Sequence, residues 1–284
     1  MEIDYSGKTV VITGGTAGIG LEAAKLFCKN GANVVICGRD TSKIESALRE
    51  IKQFGDHAIG VSCDVTSRTQ MFALADKAVE AFGGVDVWIN NAGHTGKSGL
   101  MNLTEEFCEN EVNLNFKSAI WGSQAAFKYM QDKGGVILNA SSYSAITPGV
   151  VTGLYGASKA AVTSITRTLA SELAPYNIRV VGYAPGPVLT PLLEESLTGS
   201  AADIEAQLAF MATNVSQRRV GSPEEIANLV LFLASDSASF ICGTCVDISG
   251  GKFATQNAPA AWNKNNTALY NPDNLPQKLR NTTM

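Results

Sequence analysis

The alternation of short β-rich runs with longer helical segments predicts an α/β fold, a single domain with a doubly wound parallel sheet in three α/β/α layers. Right-handed crossovers between parallel strands place helices on both faces of such a sheet. The predicted strands are Lys8–Thr13, Asn33–Cys37, Ala58–Ser62, Val85–Asn90, Gly135–Asn139, Ile178–Tyr183 and Thr244–Ile248. Helical spacing begins near Gly18, Ser42, Arg68, Glu105, Gly153 and Pro223.

The composition fits a protein with a sizeable apolar core. Hydrophobic residues make up 45% and charged residues 17% of the chain, the ordinary balance of a globular domain. The net charge of −4 gives no basic footprint for nucleic acid. The first residues are polar, no apolar run has the length of a membrane span, and the six cysteines lack the spacing of a disulfide framework. We therefore expect a cytoplasmic protein with no nucleic-acid partner and no membrane partner.

Two segments stand outside the alternation of strands and helices. Residues 189–218 follow a Pro-Gly turn and carry helical apolar spacing, which predicts a lid over a pocket. Residues 253–284 are rich in Asn and Pro and lack periodicity, which predicts an extended C-terminal extension. Residues 1–252, which include the lid, form the predicted domain.

The turn after the first predicted strand is rich in glycine. It reads GGTAGIG over residues 14–20 and leads directly into a helix. Residues without a Cβ let the backbone approach a dinucleotide pyrophosphate, and the helix N-terminus adds free N–H groups and the positive end of its dipole. The strand before and the helix after distinguish this turn from a glycine turn without a ligand. The sequence therefore predicts a Rossmann-type dinucleotide site formed by Gly14, Thr16, Gly18, Ile19 and Gly20.

The end of the second predicted strand indicates the form of the cofactor. An NAD site places an acidic side chain here to bind the adenosine ribose hydroxyls, but Gly38 occupies that position. Arg39 follows, and a guanidinium can bind a 2′-phosphate through two N–H groups. Asp40, one residue further, is predicted to cap the next helix. The sequence thus favours NADP(H) over NAD(H).

Five motifs occur along the chain in a fixed order. They are Thr13–Gly20, Asp64-Val65, Asn90–Gly93, Ser142 with Tyr155–Lys159, and Pro185–Thr190. In these motifs the chain resembles the short-chain dehydrogenase/reductase family over about residues 5–252, which makes 1–252 a dinucleotide-binding catalytic domain. The resemblance implies hydride transfer at a nicotinamide without a metal. The further cofactor contacts that it implies are Asp64, Val65, Asn91, Ala92, Tyr155, Lys159, Pro185, Val188 and Thr190.

Tyr155 and Lys159 lie four residues apart in a helical segment, so their side chains share one face of the helix. A free tyrosine has a pKa of about 10, too high for a good base at neutral pH. We expect the neighbouring ammonium, together with the positive charge of an oxidised nicotinamide, to lower the pKa of Tyr155. Tyr155 then acts as the acid/base that exchanges a proton with the substrate oxygen. The resemblance implies that Lys159 also binds the nicotinamide ribose.

Two further polar residues complete the predicted catalytic group. Ser142 ends a predicted strand, where its hydroxyl can polarise the substrate oxygen. Ser141 competes for this role, and the family spacing to Tyr155 favours Ser142. The resemblance also implies an asparagine that holds a water in a proton relay. Asn115 and Asn113 are both candidates, and the downstream residues favour Asn115.

Some residues that bear reactive groups fit the proposed site less well. Cys242 and Cys245 have the spacing of a redox or metal pair, but no second ligand pair accompanies them, and we predict that they pack the core. His94 follows the Asn-Asn-Ala-Gly turn and either borders the substrate pocket or has no role. No metal site is predicted.

These residues predict an NADP(H)-dependent oxidoreductase that transfers a hydride between nicotinamide and a small-molecule carbonyl or secondary alcohol substrate. An NAD-dependent secondary alcohol dehydrogenase and a non-catalytic cofactor-sensing protein are the alternatives. Apolar residues of the predicted lid, such as Leu192, Leu193 and Met211, favour a hydrophobic carbonyl compound. The resemblance further implies a homo-oligomer, a tetramer or else a dimer.

Overall fold

The strands form one parallel sheet. A computed structural model describes residues 3–195 and 197–254 of the chain. Its seven strands pair in the order β3-β2-β1-β4-β5-β6-β7, and all six pairings are parallel. The strands are β1 Thr9–Thr13, β2 Asn33–Gly38, β3 Ala58–Ser62, β4 Val87–Asn90, β5 Gly135–Ala140, β6 Ile178–Pro185 and β7 Cys245–Ile248. Each predicted strand is confirmed, with ends that differ by up to two residues.

Helices flank the sheet on both faces. They are α1 Gly18–Lys29, α2 Thr41–Ile51, α3 Arg68–Phe82, α4 Glu105–Val112, α5 Ser118–Met130, α6 Gly153–Leu173, α7 Pro191–Glu194, α8 Ala201–Thr213 and α9 Pro223–Ala234. The helical segment predicted from Glu105 is interrupted by a π-helical turn over Asn113–Lys117. The three-layer α/β/α arrangement predicted from the sequence is confirmed.

Alternate residues of each strand enter two different apolar clusters. In β1, Val10 and Ile12 pack with Phe27 of α1, whereas Val11 packs on the other face with Leu74 of α3. Because side chains alternate across a strand, a sheet buried on both faces needs apolar residues at nearly every position. This requirement explains why the strands appear in the sequence as continuous Val- and Ile-rich runs.

Along the chain, β2 and β3 are added on one side of β1, and β4 to β7 are added on its other side. The strand order therefore reverses between β1 and β4. A crevice opens at such a point outside the carboxyl ends of the strands, and ligands of open α/β sheets bind there. The loops that follow β1, β4 and β5 therefore border the position where a site is expected. They hold the glycine turn, the Asn-Asn-Ala-Gly motif and Ser142.

The segment predicted as a lid leaves the sheet after β6 and contains α7 and α8. It returns at Gly221, which forms an isolated parallel bridge with Val188. No residue of α8 is fully buried. The predicted C-terminal extension lies outside the described residues from residue 255 onward. Among the described residues, no helix is long and apolar enough to cross a membrane.

Buried amides join the carboxyl ends of β4 and β5. Asn90 Nδ2 donates to Asn139 Oδ1 at 2.8 Å, and Asn90 Oδ1 accepts from Trp88 Nε1 at 2.8 Å. Asn139 Nδ2 donates to Thr166 Oγ1 of α6 at 3.0 Å. Buried polar groups are stable only when they are hydrogen-bonded. This network therefore fixes the two strand ends and α6 relative to one another.

Gly122 of α5 allows this network to form, and its replacement tests the network. An ideal Cβ on Gly122 would lie 2.0 Å from Asn90 Oδ1. We expect Gly122→Ala to reduce the free energy of unfolding by roughly 2 to 4 kcal/mol, because the amide must move and lose partners. Urea unfolding followed by circular dichroism measures the change. Gly99→Ala is the control, since the nearest atom to its Cβ lies 3.9 Å away. Equal stability of the two variants would contradict this account.

Candidate active site

The glycine turn between β1 and α1 forms a cradle with no room for side chains. Gly14 and Gly18 have φ of +66° and +54°, a region that favours glycine. An ideal Cβ on Gly20 would lie 2.3 Å from the carbonyl oxygen of Gly14. Ala17 precedes α1 and makes no side-chain cap hydrogen bond, so the N–H groups of the first helical turn have no partner from the cap residue. These features fit the pyrophosphate of a dinucleotide.

The other predicted residues of this turn contact neighbouring elements. An ideal Cβ on Gly38, at the end of β2, would lie 2.9 Å from Thr16 Cγ2. Ile19 is partly buried and packs on the apolar core below. The turn thus lies between the end of β2 and the core.

Asn91 and Ala92 connect the end of β4 to the glycine turn. Asn91 Nδ2 donates to the carbonyl of Thr13 at 3.1 Å, and Thr13 Oγ1 accepts from the N–H groups of Asn91 and Ala92. Asn91 Oδ1 accepts from the hydroxyl of Tyr183 at 3.1 Å. An ideal Cβ on Gly14 would lie 3.0 Å from the Cα of Ala92. Asn91 therefore shapes the cradle through its contacts with the protein.

The ends of β2 and β3 carry the residues predicted at the adenosine side. Arg39 is exposed directly after β2. Asp40 accepts hydrogen bonds from the N–H groups of Ser42 and Lys43, which confirms that it caps α2. Asp64 accepts from the N–H and hydroxyl of Thr66, and Val65 is buried in the core. Arg39 and Asp64 thus follow neighbouring strands at the same edge of the sheet.

The segment after β6 folds back over the glycine turn. Pro185 ends the strand, and Val188 is buried where it bridges to the returning chain. Thr190 caps α7 by accepting from the N–H of Leu193 at 3.3 Å. An ideal Cβ on Gly18 would lie 3.2 Å from Thr190 Cγ2. The structure thereby brings Thr190 next to the glycine turn.

Ser142, Tyr155 and Lys159 lie together at the carboxyl end of β5. Tyr155, in the first turn of α6, is partly buried, and Ser142 and Thr95 act on the pKa of its hydroxyl. Lys159 is 4% exposed, and its Nζ donates to the carbonyl of Ala140 at 2.9 Å. That ammonium lies 5.8 Å from the centroid of the Tyr155 ring. The three predicted residues therefore form one group.

The neighbouring Ser141 has a different environment. Its hydroxyl donates to the carbonyl of Lys159 at 3.1 Å and lies 2.6 Å from Thr163 Oγ1, so it is bonded to α6. Ser142 Oγ instead accepts from the N–H of Ser144 and faces Tyr155. The geometry favours Ser142 over Ser141 as the residue that contacts a substrate.

Burial is the largest influence on the pKa values of Lys159 and Tyr155. It lowers the pKa of Lys159 to about 8, an effect that the carboxylate of Glu111 opposes. It raises the pKa of Tyr155, and the hydrogen bonds with Ser142 and Thr95 act in the opposite direction. The sequence predicts that Lys159 lowers the pKa of Tyr155, but the structure shows that burial raises it. The physical reason is that desolvation of the phenolate outweighs an ammonium placed over the ring.

Asn115 lies on the π-helical turn between α4 and α5 and is 1% exposed. Its Oδ1 accepts from the N–H of His94 at 3.0 Å, and its Nδ2 donates to Glu111 Oε2 at 3.2 Å. An ideal Cβ on Gly93 would lie 2.9 Å from Asn115 Oδ1 and 3.3 Å from Lys159 Nζ. The structure thus brings Asn115 close to Lys159. Asn113, at the start of the same turn, is only partly buried.

Two residues near the catalytic residues were not predicted from the sequence: Thr95, on the loop after β4, acts on Tyr155, and Glu111, on α4, accepts a hydrogen bond from Asn115. No motif marks either residue, because their positions depend on how this loop folds against α4. Cys242 and Cys245 are both free. Cys245, on β7, is partly buried, but Cys242 is exposed on the loop before that strand, so the prediction that both pack the core is wrong for Cys242. Within residues 3–195 and 197–254, no cluster of three or more His, Cys, Asp or Glu side chains could hold a metal ion.

A dinucleotide cradle beside a Ser-Tyr-Lys group, at the crevice of a doubly wound sheet, is the arrangement of an oxidoreductase that uses a nicotinamide dinucleotide. Comparison with known proteins agrees with this class. The family model described as short chain dehydrogenase matches residues 8–200. The chain belongs to the short-chain dehydrogenase/reductase family, whose members act on CH–OH and carbonyl groups with a nicotinamide cofactor.

Relatives of known activity align over most of the chain. The 7α-hydroxysteroid dehydrogenase of Escherichia coli K12 is 37% identical over 246 residues, which are 86% of this chain and 94% of that protein. The 3β-hydroxysteroid dehydrogenase 1 of Eggerthella lenta is 38% identical over 251 residues, 87% of this chain and 94% of that protein. The solved L-sorbose reductase of Gluconobacter frateurii, complexed with NADPH and L-sorbose, covers 90% of this chain and 100% of its own at 32% identity, with a TM-score of 0.85.

The cradle can be tested at Gly20. In Gly20→Ala, the new methyl would contact the Gly14 carbonyl and Asn91 Nδ2, which lies 2.6 Å from the ideal Cβ position. The turn must then move away from the pyrophosphate position, and we expect NADPH affinity to fall at least about tenfold, equivalent to about 1.4 kcal/mol. Isothermal titration calorimetry measures the affinity. Gly99→Ala again serves as the control, and unchanged NADPH binding by Gly20→Ala would show that the cradle is not the dinucleotide site.

Proposed function

We propose that this protein is an NADP(H)-dependent carbonyl reductase or alcohol dehydrogenase in which Tyr155 is the acid/base. The observation that carries the proposal is the convergence of Ser142, Tyr155 and Lys159 beside the glycine cradle at the carboxyl edge of the sheet. A nicotinamide bound there supplies or accepts the hydride. The protein's own residues handle the proton and the charge on the substrate oxygen.

The cofactor would be held along the edge of the sheet. The glycine turn fits the pyrophosphate, and Arg39 and Asp64 follow the strands at the adenosine side. At the opposite end, Thr190 lies beside Gly18, and Lys159 faces the same crevice as Tyr155. These positions support binding of the nicotinamide half between the end of β6 and the catalytic group.

Ser142 and Tyr155 act on the same oxygen of the substrate. A carbonyl oxygen held by both hydroxyls accepts hydrogen bonds that strengthen as it becomes an alkoxide. Tyr155 then donates its proton to that oxygen, or removes a proton from an alcohol in the reverse direction. Burial raises the pKa of Tyr155, so the phenol keeps its proton at neutral pH. This protonation state suits reduction of a carbonyl.

Lys159 and Asn115 assist the proton transfer of Tyr155 without contacting the substrate oxygen. The Lys159 ammonium lies over the tyrosine ring, where its charge acts on Tyr155, and it would hold the ribose of a bound nicotinamide cofactor. Asn115 Oδ1 and Lys159 Nζ both lie near Gly93, and a water bound there would hydrogen-bond to both. Lys159 and Asn115 would thus connect Tyr155 to a buried proton relay.

Several exposed apolar side chains lie on the loops that precede and follow the catalytic residues and on the lid segment, which favours a substrate with a sizeable apolar body. Leu100 contacts Gly153 at the start of α6, and the N–H of Ser98 donates to the carbonyl of Val151. The exposed apolar side chains on these loops and on the lid segment are Leu100, Met101, Ile146, Val150, Val151, Leu189 and Phe210. Exposed apolar clusters of this kind typically mark binding surfaces. Two relatives of this chain are hydroxysteroid dehydrogenases, and their names agree with such a substrate.

The end of β2 supports NADP(H) over NAD(H). Gly38 carries no carboxylate for the ribose hydroxyls, and Asp40 is engaged at the N-terminus of α2. Arg39 is exposed at the same edge and can bind a 2′-phosphate. The L-sorbose reductase that this chain resembles was solved with NADPH.

Tyr155→Phe tests the assigned acid/base. Removing the hydroxyl eliminates proton transfer but leaves the glycine cradle intact, so we expect turnover to fall by about 10²- to 10⁴-fold with NADPH affinity within about twofold of wild type. NADPH absorbance during reduction of a panel of ketones measures turnover. Tyr143→Phe, which removes the neighbouring hydroxyl, is the control. Undiminished activity of Tyr155→Phe would contradict the mechanism.

Arg39→Ala tests the form of the cofactor. Losing a charge-assisted pair of hydrogen bonds removes roughly 1.5 to 3 kcal/mol, so we expect NADPH affinity to fall about 10- to 100-fold while NADH affinity stays the same. Titration of both cofactors against both proteins measures the change. If wild type binds NADH as tightly as NADPH, the protein is instead an NAD-dependent dehydrogenase.

A further inference from the structure

A buried carboxylate lies behind Asn115 and Lys159. Glu111, near the end of α4, is 6% exposed. Its Oε1 accepts from the N–H of Gly96 at 3.1 Å, and its Oε2 accepts from Asn115 Nδ2 at 3.2 Å. Glutamate is seldom buried unless its charge is compensated, because water solvates the charge better than protein does. A carboxylate kept at this position therefore points to a role in the neighbouring group.

The loop after β4 closes over this carboxylate. An ideal Cβ on Gly96 would lie 2.6 Å from Glu111 Oε1 and 2.6 Å from Phe107 Cζ. Only glycine permits this approach without displacing one of the two side chains. Two elements thus surround the Glu111 carboxylate: α4 and the loop that carries His94 and Thr95.

Glu111 determines which way the Asn115 amide points. An ionised carboxylate accepts hydrogen bonds and cannot donate them, so the Asn115 atom that faces Oε2 must be Nδ2. The oxygen then turns the other way, where it accepts from the N–H of His94 at 3.0 Å. This orientation places the Asn115 oxygen beside Gly93, near the position of the Lys159 ammonium.

Glu111 also places a negative charge beside the catalytic pair. Burial lowers the pKa of Lys159, and Glu111 opposes that effect by favouring the ammonium. Burial raises the pKa of Tyr155, and the charge of Glu111 contributes in the same direction. The other titratable groups that act on this pair are Cys245 of β7, which raises the pKa of Lys159, and Tyr143, which raises the pKa of Tyr155.

On its outer side, the carboxylate faces a surface histidine. His94 Nδ1 lies 3.6 Å from Glu111 Oε1, and the His94 side chain is 56% exposed. A protonated imidazole at this distance would partly neutralise the carboxylate. A series of polar side chains therefore leads from solvent at His94 through Glu111 and Asn115 toward Lys159.

We propose that Glu111 is a positioning residue for the proton transfer: it fixes the orientation of the Asn115 amide and places a negative charge behind Lys159. This inference rests on the proposed function, since it assigns Glu111 a role in the reaction of Tyr155 and Lys159. Glu111 acts through these residues and does not touch the substrate.

The test compares Glu111→Gln, Glu111→Asp and Glu109→Gln with wild type. Glu109 is an exposed residue of the same helix, so its replacement removes an equal charge outside the site. The measurements are kcat and KM for carbonyl reduction with NADPH across the pH range, together with thermal unfolding.

In Glu111→Gln, we expect kcat to fall about tenfold with KM within about twofold, because the amide of Asn115 loses its fixed orientation. The alkaline limb of kcat/KM should move to lower pH by roughly one unit, because without the carboxylate both Lys159 and Tyr155 lose their protons more readily. Glu111→Asp keeps the charge, so its limb should stay in place while kcat falls. Glu109→Gln should match wild type.

Each result has a definite meaning. A Glu111→Gln enzyme with wild-type kcat and an unmoved alkaline limb overturns the inference, and so does an equal shift in Glu109→Gln. If Glu111→Gln does not fold, Glu111→Asp decides: reduced kcat with an unmoved limb supports the proposal, and wild-type kcat overturns it. A wild-type protein that turns over none of the carbonyl compounds with NADPH or NADH overturns the proposed function itself.

Discussion

A lysine ammonium held in the interior of the protein constrains everything around the candidate site. Lys159 projects from α6 toward the end of β5, where the Ala140 carbonyl accepts from it. A buried charge is stable only where polar groups are arranged around it. The surroundings of Lys159 are therefore specific: Gly93 leaves it space, Asn115 turns an oxygen toward the same point, and Glu111 supplies the opposite charge.

The parallel sheet makes this arrangement possible. Because all the strands run in the same direction, the loops after β1, β4, β5 and β6 leave the sheet at one edge. Residues far apart in the chain thus meet there, as Gly18 meets Thr190 and the Thr13 carbonyl meets the Asn91 amide. The amide network of Asn90 and Asn139 keeps the central strand ends in register with α6, and α6 in turn carries Tyr155 and Lys159.

Much of this architecture follows from local patterns in the sequence. Strands buried on both faces must be apolar at nearly every position, so the sequence pattern predicts their number and their order along the chain. The glycine turn is readable because its backbone has positive φ at Gly14 and Gly18. Tyr155 and Lys159 are readable as a pair because one helical turn separates them.

Other features depend on contacts that no local pattern records. A π-helical turn shifts the helical phase at Asn113–Lys117, so helical periodicity alone does not establish that Asn115 is the buried asparagine. Glu111 and Thr95 reach the site only because Gly96 lets a loop close against α4. The ionisation of Tyr155 could not be predicted from its neighbour in sequence, because burial outweighs a nearby positive charge.

A crystal structure of the protein with NADP⁺ and an unreactive alcohol analogue tests the central claim most directly. We expect the analogue's oxygen to lie within hydrogen-bond distance of both Ser142 and Tyr155, with its carbon about 3 to 3.5 Å from C4 of the nicotinamide. The Lys159 ammonium should lie on the ribose side of Tyr155. A complex in which Tyr155 points away from the C4 edge of the nicotinamide would contradict the account.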